Sequence, residues 1–182
     1  IWVAGGTPTT GTSCLAFSQN GVRWTAITGG STLIKNIYTI AYAPAEQLLA
    51  ATTTAASGVG NGVWVAGGDI SNSLIFSYDG ISWSDVPNSL TILSRCNACA
   101  FGNGLFVVGG LAATDANGVA ITTANMAYST DGINWQLIRG TTTRIDSGKN
   151  ITCISYGRDE RGRGIWLAGA FGSTVISILY SY

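Results

Sequence analysis

The sequence predicts an all-β fold built from four-stranded antiparallel modules. Three observations predict it. First, one phrase recurs: Ser18-Gln19-Asn20-Gly21-Val22-Arg23-Trp24, Ser77-Tyr78-Asp79-Gly80-Ile81-Ser82-Trp83 and Ser129-Thr130-Asp131-Gly132-Ile133-Asn134-Trp135, with another copy opening at Ser181-Tyr182. The four serines are spaced by 59, 52 and 52 residues. Second, an apolar run ending in two small residues precedes each phrase: Ile1-Trp2-Val3-Ala4-Gly5-Gly6, Val63-Trp64-Val65-Ala66-Gly67-Gly68, Leu105-Phe106-Val107-Val108-Gly109-Gly110 and Ile165-Trp166-Leu167-Ala168-Gly169-Ala170. Third, the chain holds 25 glycines and only 10% charged residues, against roughly a quarter charged in ordinary soluble domains. That composition suits many tight turns between aromatic and β-branched strands.

Each module reads as four strands in order. The first is Ile37-Tyr38-Thr39-Ile40-Ala41-Tyr42, Asn97-Ala98-Cys99-Ala100-Phe101-Gly102 or Ile151-Thr152-Cys153-Ile154-Ser155-Tyr156. A turn follows, Gly102-Asn103-Gly104 being the tightest. The second is the run that ends in small residues. It is apolar on both faces, as a strand covered on both sides must be, and its small residues suit a place where backbones crowd. The third leads into the phrase, as in Leu15-Ala16-Phe17-Ser18, Leu74-Ile75-Phe76-Ser77, Met126-Ala127-Tyr128-Ser129 and Ile178-Leu179-Tyr180-Ser181. The fourth is expected to begin at the Trp, as in Trp135-Gln136-Leu137-Ile138.

The phrase itself reads as a hairpin turn with an aromatic anchor. Gly takes positive φ without steric cost, and Asp or Asn tolerates it. The Asp or Asn side chain can accept bonds from N–H groups of its own turn, and the Ser adds a hydroxyl. The indole is expected on the returning strand, where it locks the hairpin onto a neighbour. The candidate turn and anchor residues are therefore Ser18, Asn20, Gly21 and Trp24; Ser77, Asp79, Gly80 and Trp83; and Ser129, Asp131, Gly132 and Trp135. Their role is read as structural.

The repeats run approximately 1–30, 37–88, 96–139 and 151–182. The first lacks its first strand and the last its fourth, giving three, four, four and three strands in one domain spanning 1–182. Four-stranded repeats of this length point to β-propeller blades. About three and a half blades are too few for a closed ring, so the chain is expected to belong to a larger ring or to associate through open strand edges. It opens inside a strand-like run without an initiator Met, which reads as part of something longer. Between the strands lie variable loops. Residues 43–61 include Leu48-Leu49-Ala50-Ala51, a possible extra strand. Residues 111–124 form a Thr- and Ala-rich insertion. Residues 139–150 and 157–164 carry most of the charge and read as solvated turns.

Nine basic and nine acidic residues leave no net charge. That argues against a nucleic-acid partner, which demands a basic footprint, and against an anionic membrane surface. No apolar stretch is long enough to insert in a membrane as a helix. The absence of His removes His-based triads. No P-loop or dinucleotide fingerprint occurs; Gly58-Val59-Gly60-Asn61-Gly62 lacks the Lys and the strand-to-helix context. Cys96-Asn97-Ala98-Cys99 has the gap of a redox or zinc pair, yet no second pair accompanies it. Cys99 aligns with Ile40 and Ile154, so it reads as a small buried hydrophobe. No cofactor and no metal are expected. Asn150-Ile151-Thr152 is a glycosylation sequon by pattern and is read as chance, because Ile151 opens a strand.

The phrase resembles the Asp-box, or BNR repeat, of sialidase-like propellers, which runs Ser-x-Asp-x-Gly-x-Thr-Trp. Here Asp79-Gly80 and Asp131-Gly132 are adjacent, one residue shorter, and Asn20 replaces the Asp of the first copy. The whole repeat is similar to propeller repeats of large DNA virus proteins and of bacterial or phage surface proteins. The resemblance covers nearly the whole chain. It implies a structural motif on the outer hairpin, away from any active centre. The sialidase arginine triad, Tyr–Glu pair and acidic Asp find no match by context. The acids outside the phrases, Glu46, Asp69, Asp85, Asp115, Asp146, Asp159 and Glu160, include no local motif for the carboxylate pair of a glycosidase.

The expectation is therefore a non-enzymatic structural or interaction propeller in a virion or another extracellular assembly. Its partner would be another protein or further copies of the chain. The alternative is a carbohydrate-binding or sialidase-like propeller with a glycan ligand. An assembly factor holding a protein partner is the third reading.

Overall fold

The computed structural model describes residues 1–9, 13–48, 62–122, 124–138, 150–172 and 178–181. It is all-β, with four antiparallel sheets of three or four strands that do not close into a ring. Blade 1 contains β1 (Trp2–Gly5), β2 (Leu15–Ser18) and β3 (Thr25–Ala26). Blade 2 contains β4 (Asn36–Ala43), β5 (Val63–Asp69), β6 (Leu74–Ser77) and β7 (Ser84–Asp85). Blade 3 contains β8 (Leu93–Gly102), β9 (Leu105–Ala112), β10 (Met126–Ser129) and β11 (Gln136–Leu137). Blade 4 contains β12 (Asn150–Arg158), β13 (Gly164–Phe171) and β14 (Ile178–Ser181). In each sheet, strands adjacent in sequence are hydrogen-bonded neighbours.

The registers superimpose the repeats. Trp2, Trp64, Phe106 and Trp166 pair with Ser18, Ser77, Ser129 and Ser181. Tyr42, Phe101 and Tyr156 pair with Trp64, Phe106 and Trp166. In each of these three pairs the rings are in contact, with centroids 4.5, 4.8 and 4.9 Å apart. Asn103 and Gly104 both take positive φ, 50° and 76°, and join β8 to β9 in a two-residue turn, within the Gly102-Asn103-Gly104 segment read as the tightest turn.

Successive sheets pack face to face in chain order: β1 on β4, β4 and β5 on β8, and β8 and β9 on β12. Because side chains alternate between the faces of a strand, each central strand serves two gaps. Ala66 and Ile75 join Leu15 and Ile37 between blades 1 and 2. Val63, Val65 and Leu74 join Leu93, Cys96 and Phe106 between blades 2 and 3. Val107 and Met126 join Ile151 and Ala168 between blades 3 and 4. Full burial of a ring such as Phe106 contributes on the order of 2–3 kcal/mol.

The glycines of the second strand admit this close stacking. A Cβ on Gly5, Gly67 or Gly109 would lie 2.4, 2.4 or 2.5 Å from Ile37 Cγ2, Cys96 Sγ or Ile151 Cγ2 of the next blade. Ile37, Cys96 and Ile151 occupy one equivalent position, each followed by a β-bulge. The bulge residues Tyr38, Asn97 and Thr152 fall outside the ladder.

Three features differ from the sequence expectation. The fourth strand begins after the Trp and is two residues long in every blade that has one. The connectors between blades hold one-turn helices, α1 (Gly30–Leu33) and α2 (Ser89–Ile92), each entered through a left-handed residue, Gly29 or Asn88. The first strand of blade 3 starts at Leu93, immediately after α2. Of the apolar run proposed as an extra strand, Leu48 closes a 3-10 turn over Ala45–Gln47, and 49–51 lie outside the described residues. So do 139–149, which hold part of the expected charged loop. Within 111–124, Thr114 pairs with Ala120 across a small hairpin.

Candidate functional site

The three phrases fold alike, down to the atom. Ser18, Ser77 and Ser129 are buried at the end of the third strand. Each hydroxyl accepts the Gly N–H at 2.8–2.9 Å and donates to the Asn or Asp Oδ1. That Oδ1 accepts two further N–H groups: Val22 and Arg23 on Asn20 at 2.9 Å, Ile81 and Ser82 on Asp79 at 2.8 and 2.6 Å, Ile133 and Asn134 on Asp131 at 2.8 and 2.7 Å. The loop between strands is six residues. Gly21, Gly80 and Gly132 alone supply the positive φ in each phrase, at 74–77°, while Asn20, Asp79 and Asp131 keep ordinary backbone. The shared Oδ1 does the work that a left-handed Asp would do in a two-residue turn.

The indoles correct the expectation of a Trp on the returning strand. Trp24, Trp83 and Trp135 each precede that strand, and Nε1 donates to the carbonyl of the phrase's own Gly at 3.2–3.3 Å. The six-residue loop turns the ring back over the turn. Trp83 packs on the core between blades 1 and 2, and Trp135 on that between blades 2 and 3. Trp24 is 45% exposed.

The carboxylates of these turns are held ionised. Burial alone would raise Asp79, but the N–H groups of Ser82 and Ile81 outweigh it and put its pKa below the ordinary value. Asp131 is lowered against the same burial cost by the side chain and N–H of Asn134 and the N–H of Ile133. Asp159 follows the same logic in the exposed loop after β12, bonding Arg161 N, Arg163 N and Arg163 Nε. A proton acid needs a raised pKa, so none of these is suited to that task.

The Cys96-Cys99 pair is a pair of neutral thiols. Burial pushes Cys96 up to about 12 and raises Cys99 well above its ordinary value; Cys99 is half-buried, packed against the core between blades 2 and 3, where the sequence reading expected full burial. Among the described residues no group of three or more His, Cys, Asp or Glu is placed to hold a metal. No described helix is long and apolar enough to cross a membrane.

Two arrangements escaped the sequence reading. Two of the three bulge residues, Tyr38 and Asn97, reach the next blade. Arg95 sits over the Tyr38 ring at 4.7 Å, while Tyr38 donates to Asp69 at 3.0 Å. Asn97 donates to Asn150 and to the Ile151 carbonyl. Asn150, the sequon residue, is thus half-buried in strand β12 and bonded to blade 3. The second arrangement is a cleft of about 600 Å³ lined by Ile1, Tyr42, Ala45, Glu46, Trp64, Tyr78 and Asp79. Glu46, an acid outside the phrases, and Asp79, within one, line the same cleft. Its residues come from four separate segments, so no local motif could mark it. Comparison with protein-family models, with curated proteins and with solved structures finds no match.

Proposed function

We propose that this chain is a non-enzymatic interaction module, a rigid stack of propeller-type blades that displays variable loops to a protein partner. One observation carries the reading. The Ser, Asp or Asn, Gly and Trp of every complete phrase are committed to hydrogen bonds of their own turn. What repeats is frame, and what differs between blades is loop. The β9–β10 loop is a small hairpin held by Asp115, whose Oδ1 accepts Asn117 N and Val119 N, and it presents Val119 and Ile121 to solvent. A fixed loop with apolar tips loses little entropy on docking.

Membership of the Asp-box group and a place in a virion or another extracellular assembly are part of the proposal. The spacing of the phrase and the resemblance of the repeat support them; fold alone does not give function. The test is fractionation of the native source after mild cross-linking. The chain is expected to travel with one defined particle, and Val119→Ser with Ile121→Ser to release it. A chain that migrates alone, or that hydrolyses aryl glycosides, would overturn the reading.

A further inference from the structure

We infer that the cleft between blades 1 and 2 binds a small organic cation, such as a quaternary ammonium group or a methylated lysine side chain. The inference goes beyond the interaction reading and stands on a cleft that reading does not use, with Asp79 the one phrase residue that lines it. Three aromatic side chains line the cleft, Tyr42, Trp64 and Tyr78, and so do two carboxylates, Glu46 and Asp79. Among the described residues no Lys or Arg side chain lines it. In a chain with no net charge, that is a local excess of negative charge beside aromatic surface.

The rings form a supported wall. Tyr42 and Trp64 are cross-strand partners with centroids 4.5 Å apart. Tyr78 is braced edge-on by Phe76, with centroids 5.6 Å apart. In blade 3 the equivalent of Trp64, Phe106, is fully buried, and the equivalent of Tyr78 is Thr130. Among the described residues, blade 2 is the one that combines the indole, the extra Tyr and an acid-bearing 3-10 turn. Glu46 stands on that turn directly after Pro44 and is exposed at the cleft. Asp79 is kept charged by its turn N–H groups. Aromatic surface attracts cations through the ring quadrupole, and the nearby carboxylates reinforce the attraction. The volume lies within the ordinary range for small-ligand sites. A neutral sugar would also stack on the rings, but it gains nothing from the two carboxylates of the lining.

The test is a titration of the whole chain with choline, with its uncharged isostere 3,3-dimethylbutan-1-ol, and with a panel of neutral monosaccharides. Indole N–H resonances serve as the readout. Choline is expected to bind in the millimolar range and to shift one indole signal, with the isostere at least about tenfold weaker. Glu46→Gln, an exposed position that leaves the fold intact, is expected to weaken choline by about fivefold without changing the thermal melt. Tyr42→Leu should weaken it further. Equal binding of choline and the isostere, binding of a sugar without choline, or unchanged affinity in Glu46→Gln would each overturn the inference. None of these results bears on whether the chain travels with a particle.

Discussion

At the scale of the residue, the chain carries its own control experiment. Asn20 makes the same paired N–H bonds as Asp79 and Asp131, without a charge. Asp131→Asn should therefore preserve the turn and cost about 1 kcal/mol, the difference between a charged and a neutral acceptor. Urea unfolding at neutral pH measures it. The pH dependence has a definite sign. The folded pKa of Asp131 lies below its unfolded value, so its contribution is present above about pH 4 and is lost as pH falls through the lower folded value. Asp131→Asn should flatten that acid limb, and Asp79→Asn should flatten it again. An acid limb unchanged in the double variant would show that these turns do not carry it.

At the scale of the element, the stacking of blades depends on the second-strand glycines. Gly67→Ala would drive a Cβ to 2.4 Å from Cys96 Sγ, and Gly109→Ala to 2.5 Å from Ile151 Cγ2. Overpacking of this kind costs about 1–3 kcal/mol. Gly6→Ala meets nothing within 4 Å and should be silent within about 0.5 kcal/mol. Cys96→Ala in the Gly67→Ala background should recover part of the loss, measured as a shift in the urea midpoint. The strand order, the four repeats and the crowding at these glycines were legible because they recur at a fixed spacing, and period is what sequence shows best. The bulges at Tyr38, Asn97 and Thr152 were not, because one unpaired residue leaves no pattern of its own. The Trp was misplaced because its spacing from the Gly does not show where a six-residue loop ends and the strand begins. The one-turn helices hide in Ser- and Thr-rich connectors such as Ser89-Leu90-Thr91-Ile92, whose propensity is weak. The aromatic cleft depends on contacts between segments far apart in sequence, which local patterning does not encode.

At the scale of the whole molecule, the blades form a line in which each sheet is packed on its neighbours in sequence. Stability in such a stack is set by nearest-neighbour gaps, and the cysteines report on them separately. Cys153 is exposed on blade 4. Cys14 is buried between blades 1 and 2, where its thiol donates to the Ile34 carbonyl. Cys96 is buried between blades 2 and 3 and belongs to the largest core cluster. Blade 1 has three short strands and a single packed neighbour, whereas blades 2 and 3 are each packed on both sides. Opening the first gap therefore loses fewer contacts than opening the second. Under native conditions with rising urea, a thiol reagent read by peptide mass should modify Cys153 at once, then Cys14, and Cys96 only with global unfolding. The order follows from geometry, since Cys14 and Cys96 are both buried thiols with raised pKa values. Equal rates for Cys14 and Cys96 at every urea concentration would mean that the gaps open together. The stack would then behave as one cooperative core instead of a series of separable interfaces.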